Sequence, residues 1–122
     1  METYITKLEE LEFIAGDGGI SIEFQVFYDD GEPLDLQDDK VKWYLAPIGK
    51  RHNPIITKSI KAVTEKDQNN KTVCYRFIVN LTSNETKNLY GKYIHQPVIT
   101  DRKGNTFRRA EGYINFRPQI GS

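Results

Sequence analysis

Asn88-Leu89-Tyr90-Gly91-Lys92-Tyr93-Ile94-His95-Gln96 decides how the rest of the chain is read. Gly91 lets the backbone turn closely, and Tyr93 follows two residues later, where a strand begins. Just upstream, Thr82 and Glu85 have the spacing of a capping box. The segment Thr82 to Leu89 is too short for a packed helix, so one helical turn is expected there. A single turn and then Gly-X-Tyr is the layout of a crossover between two sheets. In such a crossover the tyrosine hydroxyl ties the entering strand to the backbone just before it. That reading needs strands on both sides.

The flanking sequence supplies them. Thr72 to Leu81 alternates, with Val73, Tyr75, Phe77, Val79 and Leu81 on one face and Cys74, Arg76 and Asn80 on the other. Period two marks a half-buried strand. Ile20 to Tyr28 alternates in the same way, and Asp29-Asp30-Gly31 then reads as a tight turn. Val41 to Ala46 forms a strand with Val41, Trp43 and Leu45 inward. Pro47 to Pro54 breaks the pattern as a loop. Ile55 to Val63 reads as one weaker strand near an edge, and Glu65 to Lys71 as a polar turn. After the crossover come a strand around Lys92–Thr100, a turn at Asp101–Asn105, and strands near Thr106–Ala110 and Gly112–Arg117. Leu8, Leu11 and Phe13 fit no single period, so residues 1–15 read as an arm or a first strand.

About seven short strands without a long helical period predict an all-β antiparallel sandwich. Here the opening stretch resembles the tyrosine corner of immunoglobulin-like sandwiches, with Gly91 at the turn and Tyr93 as the pin. Two positions beyond Tyr93, where an antibody domain carries cysteine, stands His95. No partner cysteine lies on an early strand. The expectation is an immunoglobulin-like β-sandwich over residues 16–118, followed by a tail at 119–122. Trp43, Tyr75, Phe77, Gly91 and Tyr93 are its structural residues.

A chain of 122 residues fits one domain that buries about two-thirds of its unfolded surface. Cys74 is the single cysteine, so no disulfide forms within the chain. No apolar run approaches the roughly 20 residues that span a bilayer, and the acidic N-terminal stretch lacks the apolar region of a signal peptide. Net charge is zero, yet unevenly spread. Residues 1–39 hold twelve acids and one base, a net −11, and residues 40–122 carry the compensating +11. Folding either interleaves these segments or leaves a polar molecule with complementary patches.

A further resemblance rests on several motifs in order. They are Glu12-Phe13-Ile14-Ala15-Gly16-Asp17, Asp30-Gly31-Glu32-Pro33-Leu34-Asp35-Leu36, Val41-Lys42-Trp43-Tyr44-Leu45, Asn84 to Leu89 with Gly91-Lys92-Tyr93, and Ile99 to Gly104. Their order and spacing, over roughly residues 12–118, resemble the immunoglobulin-like domain of phage baseplate upper proteins and related tail or head-fibre modules. Such modules often enter the first strand with Gly-Asp-Thr, whereas here Gly16-Asp17-Gly18-Gly19 stands. The resemblance implies a non-enzymatic virion structural protein, made in the bacterial host cytoplasm. It would dock to other virion proteins and to copies of itself as a homo-oligomer.

The chemistry-bearing residues fit that expectation. The only histidines are His52, in a Pro-flanked basic loop, and His95, on a strand as a core or interface residue. With Cys74 they have no zinc-ligand spacing. Asp29 to Asp35 lacks the ligand periodicity of a calcium loop. No phosphate loop, nucleophile elbow or dinucleotide fingerprint occurs. Catalytic, metal and cofactor-binding residues are therefore expected to be none. Arg102, Lys103, Arg108, Arg109 and Arg117 near Tyr113 and Phe116 have the make-up of a nucleic-acid patch, but zero net charge argues against polyanion binding. Contact with a partner is expected from Asp29, Asp30, Asp35, Asp38 and Asp39, from Lys50, Arg51 and His52, and from Arg102, Lys103, Arg108 and Arg109. The basic groups would pair with Asp29–Asp39 of another copy. The alternative is a module reading host-surface glycans through Tyr28, Tyr44, Tyr90 and Tyr113.

Overall fold

A computed structural model describes residues 6–25, 41–60, 62–70, 72–100, 104–108 and 110–119. Its elements run β1 (Thr6–Lys7), β2 (Leu11–Ile14), β3 (Ile20–Gln25), β4 (Val41–Pro47), β5 (Ile56–Ile60), β6 (Ala62–Lys66), β7 (Thr72–Leu81), α1 (Ser83–Thr86), β8 (Gly91–Thr100), β9 (Thr106–Phe107) and β10 (Ala110–Arg117). They form two sheets. One has the order β3-β7-β6. The other runs β1-β10-β8-β4-β5, with β2 also on β10 and β9 on β8. The N-terminal strands β1 and β2 pair with β10 in parallel, and the remaining pairs are antiparallel. This is an immunoglobulin-like β-sandwich.

Alternation places the core between the sheets. Ile20, Ile22 and Phe24 of β3 and Phe77, Val79 and Leu81 of β7 meet Val41, Trp43 and Leu45 of β4, Ile99 of β8, and Ile114 and Phe116 of β10. Aromatic side chains of this size bury about 150–250 Å² each, so Trp43, Phe77 and Phe116, all fully buried, dominate the hydrophobic gain. Phe24 stacks on Phe77 at 5.3 Å between ring centroids.

The crossover that the opening stretch predicts is present. Thr82 caps α1: its Oγ1 accepts from the Glu85 N–H at 3.3 Å, and Glu85 Oε1 accepts from the Thr82 N–H at 2.8 Å. Lys58 of β5 reaches across from the other sheet, donating to Glu85 Oε1 at 2.9 Å and to the Asn80 carbonyl at 2.8 Å. The ammonium holds the Glu85 carboxyl below its usual range. Gly91 then takes φ +87°, a left-handed conformation that a side chain would strain. The Tyr93 hydroxyl accepts from the Tyr90 N–H at 3.2 Å, and its ring meets Phe116 edge-on at 5.7 Å.

Three expectations need revision. The single strand over Ile55–Val63 is two strands, β5 on β4 and β6 on β7, so the chain changes sheets here. Glu65 and Lys66 extend β6, with a register shift between them, and do not begin a turn. The irregular N-terminal period reflects two short strands separated by Leu8–Glu10, each laid against β10.

Candidate functional site

Adjacent strands β4 and β8 present opposite chemistry on their two faces. Residues 43 and 45 of β4 and 95, 97 and 99 of β8 point into the sandwich. Trp43 is 0% exposed and His95 1%. The Trp43 Nε1–H donates to His95 Nδ1 at 2.9 Å, which places the imidazole proton on Nε2. Burial pulls the His95 pKa down to about 4. Its Nε2 has no hydrogen-bond partner among the described residues. Gly112 lies against it: a Cβ there would come within 2.9 Å of Nε2 and 2.9 Å of Leu8 Cβ. His95 is thus a core residue locked to Trp43, in the slot that a disulfide cysteine fills in antibody domains.

The alternate residues Tyr44, Ala46, Ile94, Gln96 and Val98 face outward. They floor an open concavity of about 610 Å³, walled by Arg51, His52, Pro54 and Arg108. Its wall is built by local bonds. The Lys50 N–H donates to the Pro47 carbonyl and the Asn53 N–H to the Lys50 carbonyl, which folds loop 48–55 into successive turns. The Ile55 N–H closes the hairpin on the Leu45 carbonyl at 2.8 Å. Arg51 Nη2 lies 2.6 Å from Glu111 Oε2, so the loop is fastened across β8 to β10. Gln96 Nε2 donates to the Arg108 carbonyl at 3.1 Å and holds the opposite wall. The result is an apolar and aromatic floor inside a basic rim. Recognition patches that combine aromatic groups with arginine have this composition.

Of the expected contact residues, Arg51, His52 and Arg108 are brought together around this concavity. Lys50 sits in the same loop, its backbone N–H bonded to Pro47. Asp29, Asp30, Asp35, Asp38, Asp39, Arg102, Lys103 and Arg109 lie outside the described residues, as does Tyr28. The Tyr75 side chain also lies outside them. Gln96, Ile94 and Val98 were missed as floor residues, although the even positions of β8 carried the signal once His95 was assigned inward.

Three described acids of the N-terminal segment pair with later bases. Glu23 pairs with Arg76 at 2.9 Å, Glu10 with Lys92 at 3.2 Å and Glu12 with Arg117 at 3.3 Å. Tyr113 is 41% exposed, and Lys92 Nζ stands 5.7 Å from its ring centroid. Among the described residues, no group of three His, Cys, Asp or Glu is placed to hold a metal ion, and no helix is long and apolar enough to cross a membrane.

No family model matches the chain, and no curated protein matches it. Among solved structures, the fibronectin(III)-like modules of Clostridium thermocellum CbhA are similar to it at a TM-score of 0.40 and 6% identity, over 95% of this chain and 92% of that one.

Proposed function

We propose that the chain is a non-enzymatic structural module of a bacteriophage virion, in the baseplate, tail, head fibre or capsid, working by protein–protein docking. The concavity on the outer face of β4 and β8 carries the docking reading. Its floor is apolar and aromatic apart from Gln96, and its rim bears Arg51, His52 and Arg108, while the one strongly perturbed imidazole faces away from it into the core. The order and spacing of the turn motifs support the virion setting. The chain should co-sediment with assembled particles through a density gradient. Gln96→Arg, which sets a long cation on the floor, should release it. A chain that stays at the top of the gradient, or a variant that sediments like wild type, contradicts the proposal.

Glycan binding is the second reading, favoured by Tyr44 and Gln96 side by side on the floor. Tyr113 shares that face, but Lys92 stands over its ring, which narrows the room for sugar stacking. Saccharide-dependent NMR shifts at Tyr44 and Gln96 would favour this reading over docking.

A further inference from the structure

We infer that the concavity receives the acidic segment 29–39 of a second copy of this chain. The inference rests on the docking reading and names the occupant.

The segment and the rim carry opposite charge. Residues 29–39 hold six carboxylates, those of Asp29, Asp30, Glu32, Asp35, Asp38 and Asp39, and no base. The acids at positions 10, 12 and 23 are matched within the fold by Lys92, Arg117 and Arg76. The rim of the concavity concentrates the opposite sign in Arg51 and Arg108, with His52 beside them. Arg51 contacts Glu111 through Nη2, yet its side chain stays 52% exposed. A guanidinium has five N–H donors in a planar fork, so it can serve a second carboxylate.

The side-chain pattern of the segment also fits the floor. In an extended bound segment, Leu34 and Leu36 fall on one side and Asp35 on the other. Two leucines suit a floor of Tyr44, Ala46, Ile94 and Val98, and they leave the flanking carboxylates for the rim. Pro33 fixes its own φ, which lowers the ordering cost of binding. A concavity of about 610 Å³ takes only the middle of an eleven-residue segment, so the outer aspartates meet the rim and not the floor.

Groove and segment are different patches of one chain, so the contact is heterologous. It builds a ring if the rotation closes and a filament if it does not.

Charge exchange tests this on the full chain. Arg51→Glu/Arg108→Glu reverses the rim, and Asp35→Lys/Asp38→Lys/Asp39→Lys reverses the segment. Sedimentation velocity should show wild type associating at low salt, about tenfold more weakly at high salt. Each variant alone should be monomeric, and their equimolar mixture should associate. Urea unfolding confirms that each is folded, and Arg108→Glu alone replaces the double variant if that one is not. Wild type that is monomeric at every concentration, or variants that self-associate like wild type, overturns the inference. If wild type is monomeric while the rim variant still leaves particles, docking stands with another occupant. If neither readout moves, both readings fall.

Discussion

Strands β4 and β8 carry two surfaces a side chain apart, and the contrast between them organises the molecule. On the inner surface Trp43, Leu45, His95 and Ile99 are buried, and the one polar pair there is bonded internally. On the outer surface Tyr44, Ile94, Gln96 and Val98 underlie a basic rim that is held open by Arg51–Glu111 and Gln96–Arg108. The same backbone serves both because successive strand residues point to opposite faces. Inner residues should therefore set stability and outer residues should set binding, with little crossover between the two.

The largest effect is expected from Trp43→Ala. Losing a fully buried indole should cost about 3–5 kcal/mol of unfolding free energy. Docking would then disappear with the fold, and chemical denaturation reads the loss.

Acid should break the inner surface next. The folded pKa of His95, about 4, lies below the ordinary 6.5, so folding favours the neutral imidazole. That contribution is complete above about pH 6.5 and is lost as pH falls through about 4, on the order of 3 kcal/mol. Urea midpoints at pH 7, 5 and 4 should fall more steeply for wild type than for His95→Gln. Parallel curves would show that His95 does not carry the acid sensitivity.

Gly112→Ala sharpens the comparison by overfilling the inner surface alone. The added methyl meets His95 Nε2 and Leu8, and a cost of about 1–3 kcal/mol is expected, with the outer rim untouched. Tyr93→Phe removes only the corner hydrogen bond to Tyr90, so thermal unfolding should register a loss of about 1 kcal/mol.

The frame of the sandwich was legible in the sequence. Thr72–Leu81 alternates, with Ile78 the exception on its polar face, the Thr82–Glu85 pair announces the cap that follows, and Gly91-X-Tyr93 announces the corner. Each of these signals is local. What stayed hidden depends on chain path. The change of sheet between Ile60 and Ala62 leaves no mark, because both flanking runs are extended and similarly composed. The partner of His95 was invisible for the same reason: Trp43 lies 52 residues away, and only the pairing of Leu45 with His95 across β4 and β8 brings them together. For the outer site, Arg51, His52 and Arg108 stood out by composition, but the floor between them needed the register of β4 on β8.

The division between the faces is tested most directly by Arg51→Glu/Arg108→Glu, measured twice: by urea unfolding and by co-sedimentation with particles. Stability is expected within about 1–2 kcal/mol of wild type, because both side chains are exposed and the main loss is the Arg51–Glu111 pair, and docking should be lost. Docking that survives intact, or stability that collapses along with it, would contradict the division.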